Sequence, residues 1–194
     1  MRKMLPKDVE QCVNVHFACF PESFLSFLGP TFLRTYYVGL VRSELGISLV
    51  YEEDDQVVGF VVGFADPRRC YEYLLRTRML RFCMASINAI LKRPAIIPKL
   101  LGAMTYPNRN PSGHNRVLLS SIAVLPAFRR RGIGKRLVQA FLAEAALRGG
   151  LGVYLGVKTS DQQAINFYRN LGFQETTALS NPGYGDSILL ARNF

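Results

Sequence analysis

The chain has 194 residues, is 49% apolar and carries a formal charge of +10. That length is enough for one domain with a sizeable core, and the composition excludes disorder, internal repeats and collagen-like sequence. No run of about 18 uncharged apolar residues argues for a membrane span, and the charged start MRKMLPKDVEQ lacks the apolar stretch of a signal peptide.

In chain order, residues 1–5 read as a short strand, and Pro6 opens a helix to about Ala18 with Val9, Val13 and Phe17 on one face. Pro21 and Gly29-Pro30 bracket an expected loop, FPESFLSFLGP, before a second helix near 31–44. GISLVYEEDDQVVGFVVGFAD predicts a hairpin: strand 46–51, a turn at Asp54-Asp55, strand 56–64. Residues 66–116 then hold ten Lys/Arg against Asp66 and Glu72, so most of the excess charge sits in this one segment. Within it, CYEYLLRTRMLRFCMASINAILKRP predicts a helix with Leu75, Met79, Phe82, Ser86 and Ala89 on one side; Pro94 breaks it. IIPKLLGAM predicts a shorter helix and YPNRNPSGHN a loop. A strand over 116–124, a helix over 133–148 stopped by Gly149-Gly150, and a strand over 151–157 follow. A Ser-Asp cap starts a helix over about 161–171, closed by Gly172, and strands near 173–179 and 186–192 flank a turn-rich loop. Strands and helices mix without strict βαβ alternation, which predicts an α+β layer structure of mixed α/β, three-layer type.

Residues 117–134, VLLSSIAVLPAFRRRGIG, carry the most chemistry. An apolar strand runs into a turn at Pro126, then into three arginines and two glycines that open a helix. A helix start exposes backbone N–H groups and the positive end of the dipole, so it holds phosphate well. Gly132 and Gly134 let the backbone approach a pyrophosphate, while Arg129, Arg130 and Arg131 add charge and forked donors. Competing motifs fail: there is no G-x-x-x-x-G-K-[ST], and Leu137 stands where a dinucleotide fingerprint needs its third glycine. Cys12, Cys19, Cys70 and Cys83 form no C-x-x-C pair, and His16 and His114 are the only histidines. Neither a metal site nor a disulfide framework is expected, and a reducing cytoplasm is the expected setting.

Arg129-Arg130-Arg131-Gly132-Ile133-Gly134 fits R-x-x-G-x-G, preceded at the right distance by Ile122-Ala123-Val124 and Pro126. Ala164-Ile165-Asn166-Phe167-Tyr168-Arg169-Asn170-Leu171-Gly172-Phe173 fits A-x-x-F-Y-x-x-x-G-F, and RKMLPKDVEQ fits a first strand and helix. Together these resemble the GNAT superfamily of acyl-CoA N-acyltransferases over nearly the whole chain except about 66–113. The resemblance implies one acetyltransferase domain over 1–194, with an insertion at about 66–115 and a central, mostly antiparallel sheet. It implies acetyl-CoA as co-substrate and an amine as acceptor, with no metal.

The resemblance also implies a V-shaped gap between strands 116–124 and 151–157 that admits pantetheine. Backbone groups of Ile122, Ala123 and Val124 would pair with it, and amides of residues 129–134 with Lys135 would hold the pyrophosphate. Tyr168 is the expected general acid for the leaving thiolate, and an amide N–H of the 122–124 strand could polarise the thioester oxygen. Two positions depart from the pattern. Asp161 stands where many relatives have Asn; it caps the helix and is a weaker cofactor ligand. Leu155-Gly156-Val157 stands where protein N-terminal acetyltransferases show L-E-V, and that glutamate helps deprotonate the acceptor. The base is therefore open among Glu52, Glu53, His114 and Ser121, or needs no dedicated residue.

These readings put a small amine, such as an amino sugar or sugar-linked metabolite, first as acceptor, ahead of a protein or peptide amine. A non-catalytic CoA-binding regulatory module is the reading without chemistry, and Tyr168 speaks against it. The basic segment fits a cover against the sheet, the interface of a homodimer, or contact with an anionic membrane surface or acidic substrate. It lacks the aromatic-basic motifs of a nucleic-acid binder.

Overall fold

The computed structural model describes residues 1–98, 116–176 and 186–194. Its elements are β1 (Arg2–Lys3), α1 (Val9–Cys19), α2 (Phe24–Leu28), α3 (Pro30–Arg42), β2 (Gly46–Glu53), β3 (Gln56–Phe64) and α4 (Pro67–Lys92). After them come β4 (Arg116–Val124), α5 (Ile133–Leu147), β5 (Gly152–Lys158), α6 (Gln162–Arg169), β6 (Gln174–Glu175) and β7 (Ser187–Asn193). The strands form one sheet in the order β1-β2-β3-β4-β5-β7-β6. Neighbours run antiparallel except β4 and β5, which are parallel. The mixed, layered architecture and mostly antiparallel sheet are those expected.

The sheet is buried on both faces, so β3 reads as a nearly continuous apolar run instead of an alternating one. Val57, Phe60, Val62 and Phe64 join the core with α1, α3 and α4, where Val13, Leu33, Tyr37, Leu40 and Leu74 are buried. Val58 and Val61 join the opposite core with Leu137, Val138 and Phe141 of α5. Each large side chain so buried contributes about 1.5–3 kcal/mol. The β2–β3 hairpin turns through Asp54 and Asp55, both at positive φ (49° and 61°), a conformation that short acidic side chains tolerate better than most.

Three expectations need correction. Residues 20–30 are not all loop: α2 forms because Ser23 Oγ accepts from the Ser26 N–H at 3.1 Å, a cap hidden between the Pro and Gly signals. The strand expected over 173–179 is β6, two residues long; residues 177–185 lie outside the described ones. Helix α4 starts at Pro67, where Asp66 Oδ1 accepts from Arg69 N–H at 3.0 Å, and its inward line runs through Cys70, Leu74 and Arg78 rather than Leu75 and Met79. Phe82, Ser86 and Ala89 do face inward, as predicted. An apolar count avoids Arg78 because it is charged, yet the four-residue spacing carries it into the seam with α3. A short 3-10 turn at Pro94–Ile96 marks the predicted break. Most of the second predicted helix and the loop holding His114 lie outside the described residues.

Candidate functional site

The site forms where the sheet opens. Strands β4 and β5 pair at only three positions, Arg116↔Gly152, Val117↔Val153 and Leu118↔Tyr154. Beyond them β4 keeps its bonds to β3 and β5 keeps its bonds to β7, so the facing edges of residues 119–124 and 155–158 part. This is the gap the sequence implied, with Ile122, Ala123 and Val124 on its β4 edge. The register of β3 on β4 shifts between Val62↔Ser121 and Gly63↔Leu119, leaving Ser120 as an extra residue. Such a bulge bends the strand away from its neighbour. Gly63 permits it, since a Cβ there would collide with the Leu118 carbonyl and the Phe141 ring.

At the end of β4 the chain makes a 3-10 turn over Pro126–Phe128 and then a left-handed step at Arg130 (φ 61°) and another at Gly132 (φ 77°). Gly132 is the N-cap of α5. No acceptor among the described residues takes the backbone N–H groups of residues 130–135. Six successive unpaired donors at a helix start make a nest for an anion. Of the two glycines only Gly132 is required by the backbone, through its positive φ; a Cβ at Gly134 would meet the Phe167 ring at an ordinary 3.5 Å.

The three arginines also differ. Arg129 Nε donates to the Val124 carbonyl at 3.1 Å and ties the turn to its strand. Arg131 lies over the Phe128 ring, 5.0 Å from its centroid, and reaches Glu53 at 3.6 Å. Arg130 is exposed and makes no hydrogen bond or ion pair with a described residue, as does Lys135 apart from backbone contacts of its helix. The mobile charge expected of all three therefore resides in Arg130.

Tyr168, on α6, is buried between the edges of Phe167 (5.1 Å) and Phe173 (5.5 Å). It shares the apolar cluster of Ile133 and Val157, against which Ile122, Val124 and Phe128 also pack. Burial first, and the Asp161 charge second, push its phenol well above the ordinary range. The ring thus stays protonated at neutral pH, as a general acid must. Asp161 Oδ1 accepts from the Ala164 N–H at 2.9 Å, so its visible work is to cap α6.

On the opposite face of the sheet lies a polar group that composition and motif did not reveal. Tyr36 Oη and Ser120 Oγ are 3.0 Å apart, which puts a buried phenol against the bulge residue of β4. Ser121 pairs with Val62, whose side chain belongs to that same face. Beside them, His16 Nδ1 meets Tyr37 Oη at 2.6 Å and Nε2 meets Ser23 Oγ at 3.2 Å. Burial pushes the imidazole down to about 4, so His16 is neutral there. Cys19 Sγ donates to the Val124 carbonyl at 3.3 Å. Adjacent Tyr-Tyr in a helix looks like core in sequence; the bulge at Ser120 is what brings that hydroxyl to Tyr36.

Of the base candidates, Glu52 is bound to Arg2 at 2.9 Å, a contact that holds its carboxyl below the usual range. It is thereby a poor proton acceptor, which corrects its place among the candidates. Glu53 faces Arg131, Ser121 lies on β4 near the opening, and His114 is outside the described residues. Among the described residues no cluster of His, Cys, Asp and Glu could hold a metal, and no helix is long and apolar enough to cross a membrane.

Comparison with known proteins gives this geometry a context. Residues 9–173 match the model of the acetyltransferase (GNAT) family. A [Ribosomal protein bS18]-alanine N-acetyltransferase from Salmonella typhimurium is 38% identical over 78 residues, 38% of this chain and 53% of that enzyme. The chain thus matches about half the length of that relative. An N-alpha-acetyltransferase from Sulfurisphaera tokodaii is 27% identical over 173 residues, 89% of this chain and 78% of that one. The PaiA N-acetyltransferase of Thermoplasma acidophilum, solved in complex with coenzyme A, shares the fold at a TM-score of 0.62 and 14% identity, covering 100% of this chain and 97% of that one.

Proposed function

This chain belongs to the acetyltransferase (GNAT) family, whose members use acetyl-CoA, and from that premise we propose that it acetylates the α-amine of a protein or peptide N-terminus. The supporting observation within the molecule is the parting of β4 from β5 beside six unpaired amides at the start of α5. An extended thioester arm needs an open strand edge, and a pyrophosphate needs converging N–H donors; the two adjoin here. For the acceptor, support comes from relatives named for ribosomal-protein and N-alpha acetylation, one of them aligned over 89% of this chain. They favour a polypeptide over the small amine that the sequence put first.

The positions support the following roles. Amides of residues 130–135, with Arg130 and Lys135, hold the pyrophosphate, and backbone groups of Ile122, Ala123 and Val124 align the arm. Tyr168, on the α5–α6 side, holds a proton for the departing thiolate while the new N–C bond forms and the C–S bond breaks. Gly156 is exposed on β5 and offers no carboxylate. The Ser120–Tyr36 hydroxyl pair, on the other face, orients the neutral amine, whose proton leaves to solvent. Positioning supplies much of the rate enhancement in such a reaction. All four cysteines are free thiols, which supports a cytoplasmic setting.

Thiol release from acetyl-CoA, measured against free and N-blocked peptides, polyamines and amino sugars, tests the reading. Turnover is expected with free peptides and is lost when the α-amine is blocked. Turnover on amino sugars with none on peptides would return the acceptor to the small-amine class; no release with any amine would sink the transferase reading.

A further inference from the structure

Helix α4 carries apolar residues on both sides, which a helix lying between core and water does not need. One side packs against α3 and β3. On the other, Leu80 is 78% exposed, Met84 63%, Ile87 50% and Leu91 74%. Their spacing of four, three and four residues sets them in one line about 17 Å long. Beside this line the α3–α4 seam gathers positive charge. Arg78 is 7% exposed, and its buried Nε has no hydrogen-bond partner. Its neighbours in charge are Arg42 and Arg81, both cations, and they, after burial itself, disfavour its protonated form. A guanidinium whose buried Nε is unbonded and whose charged neighbours include two cations favours an anion from outside the chain. A cavity of about 260 Å³ opens at this seam, lined by Thr31, Thr35, Arg81, Met84 and Ala85. Met84 thus belongs both to the exposed line and to the cavity wall.

We propose that the α3–α4 seam docks on an anionic phospholipid surface. The lipid phosphates pair with Arg78 and Arg81 under the added potential of Arg42, and Leu80, Met84, Ile87 and Leu91 enter the apolar layer. Charge selects this occupant. Between Pro67 and Pro98 the only acid is Glu72, already paired with Arg68 at 3.2 Å, so a second copy would bring like charge against like. A nucleic-acid backbone would satisfy the arginines but leave four large apolar side chains in water. A bilayer interface meets both needs at once, as amphipathic helices with basic flanks do. The proposal is independent of which amine is acetylated.

The test is co-sedimentation of the full chain with vesicles of phosphatidylglycerol in phosphatidylcholine, and with phosphatidylcholine alone, at moderate salt. Binding to the anionic vesicles is expected to be at least about ten-fold tighter, with no displacement by millimolar inorganic phosphate, which supplies charge but no apolar layer. Leu80→Glu with Leu91→Glu should lower that binding about ten-fold or more, and separately Arg81→Gln about five-fold. All three positions are exposed, so acetylation of a soluble acceptor should be unchanged and serves as the check on folding. Equal binding to neutral vesicles, full displacement by free phosphate, or undiminished binding of the variants would overturn the proposal. So would light scattering that shows a dimer dispersed by the double variant, since the line would then meet a second copy.

Discussion

Tyr168 is buried between two phenylalanine edges and yet shares its cluster with the β4 residues that border the open edge of the sheet. Tyr168→Phe keeps that packing and removes only the hydroxyl. Turnover is expected to fall about 10²- to 10⁴-fold with CoA affinity unchanged; undiminished turnover would take the acid role from this residue. Across the sheet, Tyr36→Phe frees Ser120 Oγ from its partner at 3.0 Å. An orienting role predicts a higher KM for the amine, with the KM for acetyl-CoA unmoved and the loss recovered in part by saturating acceptor. A rise in both KM values together would mark the pair as purely structural. His16 gives a pH signature of stability. Its unfolded imidazole binds a proton near 6.5, the folded one only near 4. Between those values the unfolded chain holds more protons, so stability falls as pH drops, by about 2 kcal/mol at pH 5 relative to pH 7.5. Denaturant titrations at the two pH values measure it, and His16→Gln should flatten the difference.

At the scale of elements, the turn between β4 and α5 is a device of backbone rather than side chains. Its two left-handed steps, at Arg130 and Gly132, aim the unpaired amides. Gly132→Ala puts a Cβ into a conformation that costs about 1–2 kcal/mol, although nothing within 4 Å would clash with it. The expected outcome is a modest loss of stability with a larger loss of acetyl-CoA affinity, read by calorimetry; loss of stability alone would mean that the nest binds no phosphate. This element was readable from R-R-R-G-I-G because glycine spacing and helix onset coincide. What was not readable is which arginine is free, since that depends on the Val124 carbonyl, Phe128 and Glu53 reaching three successive side chains differently. Helix α4 shows the same limit. Its existence followed from periodicity, but with apolar residues on two sides the predicted face was right at Phe82, Ser86 and Ala89 and wrong at Leu75 and Met79, where packing on α3 takes Leu74 and Arg78 instead. The bulge at Ser120 escaped for a related reason, since its meaning comes from β3, whereas the cap at Ser23 is local and was hidden by the Pro and Gly signals around it.

Across the whole molecule the sheet divides labour. The α5–α6 face holds the left-handed turn before α5 and Tyr168, the α1–α3 face holds the Tyr36–Ser120 pair and His16, and the gap between β4 and β5 lies between them. The proposed cofactor half was legible in sequence because phosphate and thioester recognition use backbone, which short motifs encode. The proposed acceptor half was not, because the side chains proposed for it, on α3 and β4, are distant in sequence. The division makes a global prediction. Ligand that binds only the folded state stabilises it by mass action, about 2.7 kcal/mol at one hundred times its Kd. For a chain of this size that is a rise in Tm of about 5–10 °C. Acetyl-CoA should produce it in a thermal melt, whereas S-acetylpantetheine, which offers the same arm without the pyrophosphate, should produce much less at equal concentration. Arg130→Gln should narrow the difference between the two compounds by weakening only the first. Equal shifts from both compounds in the unsubstituted chain would show that the amides of residues 130–135 hold no phosphate.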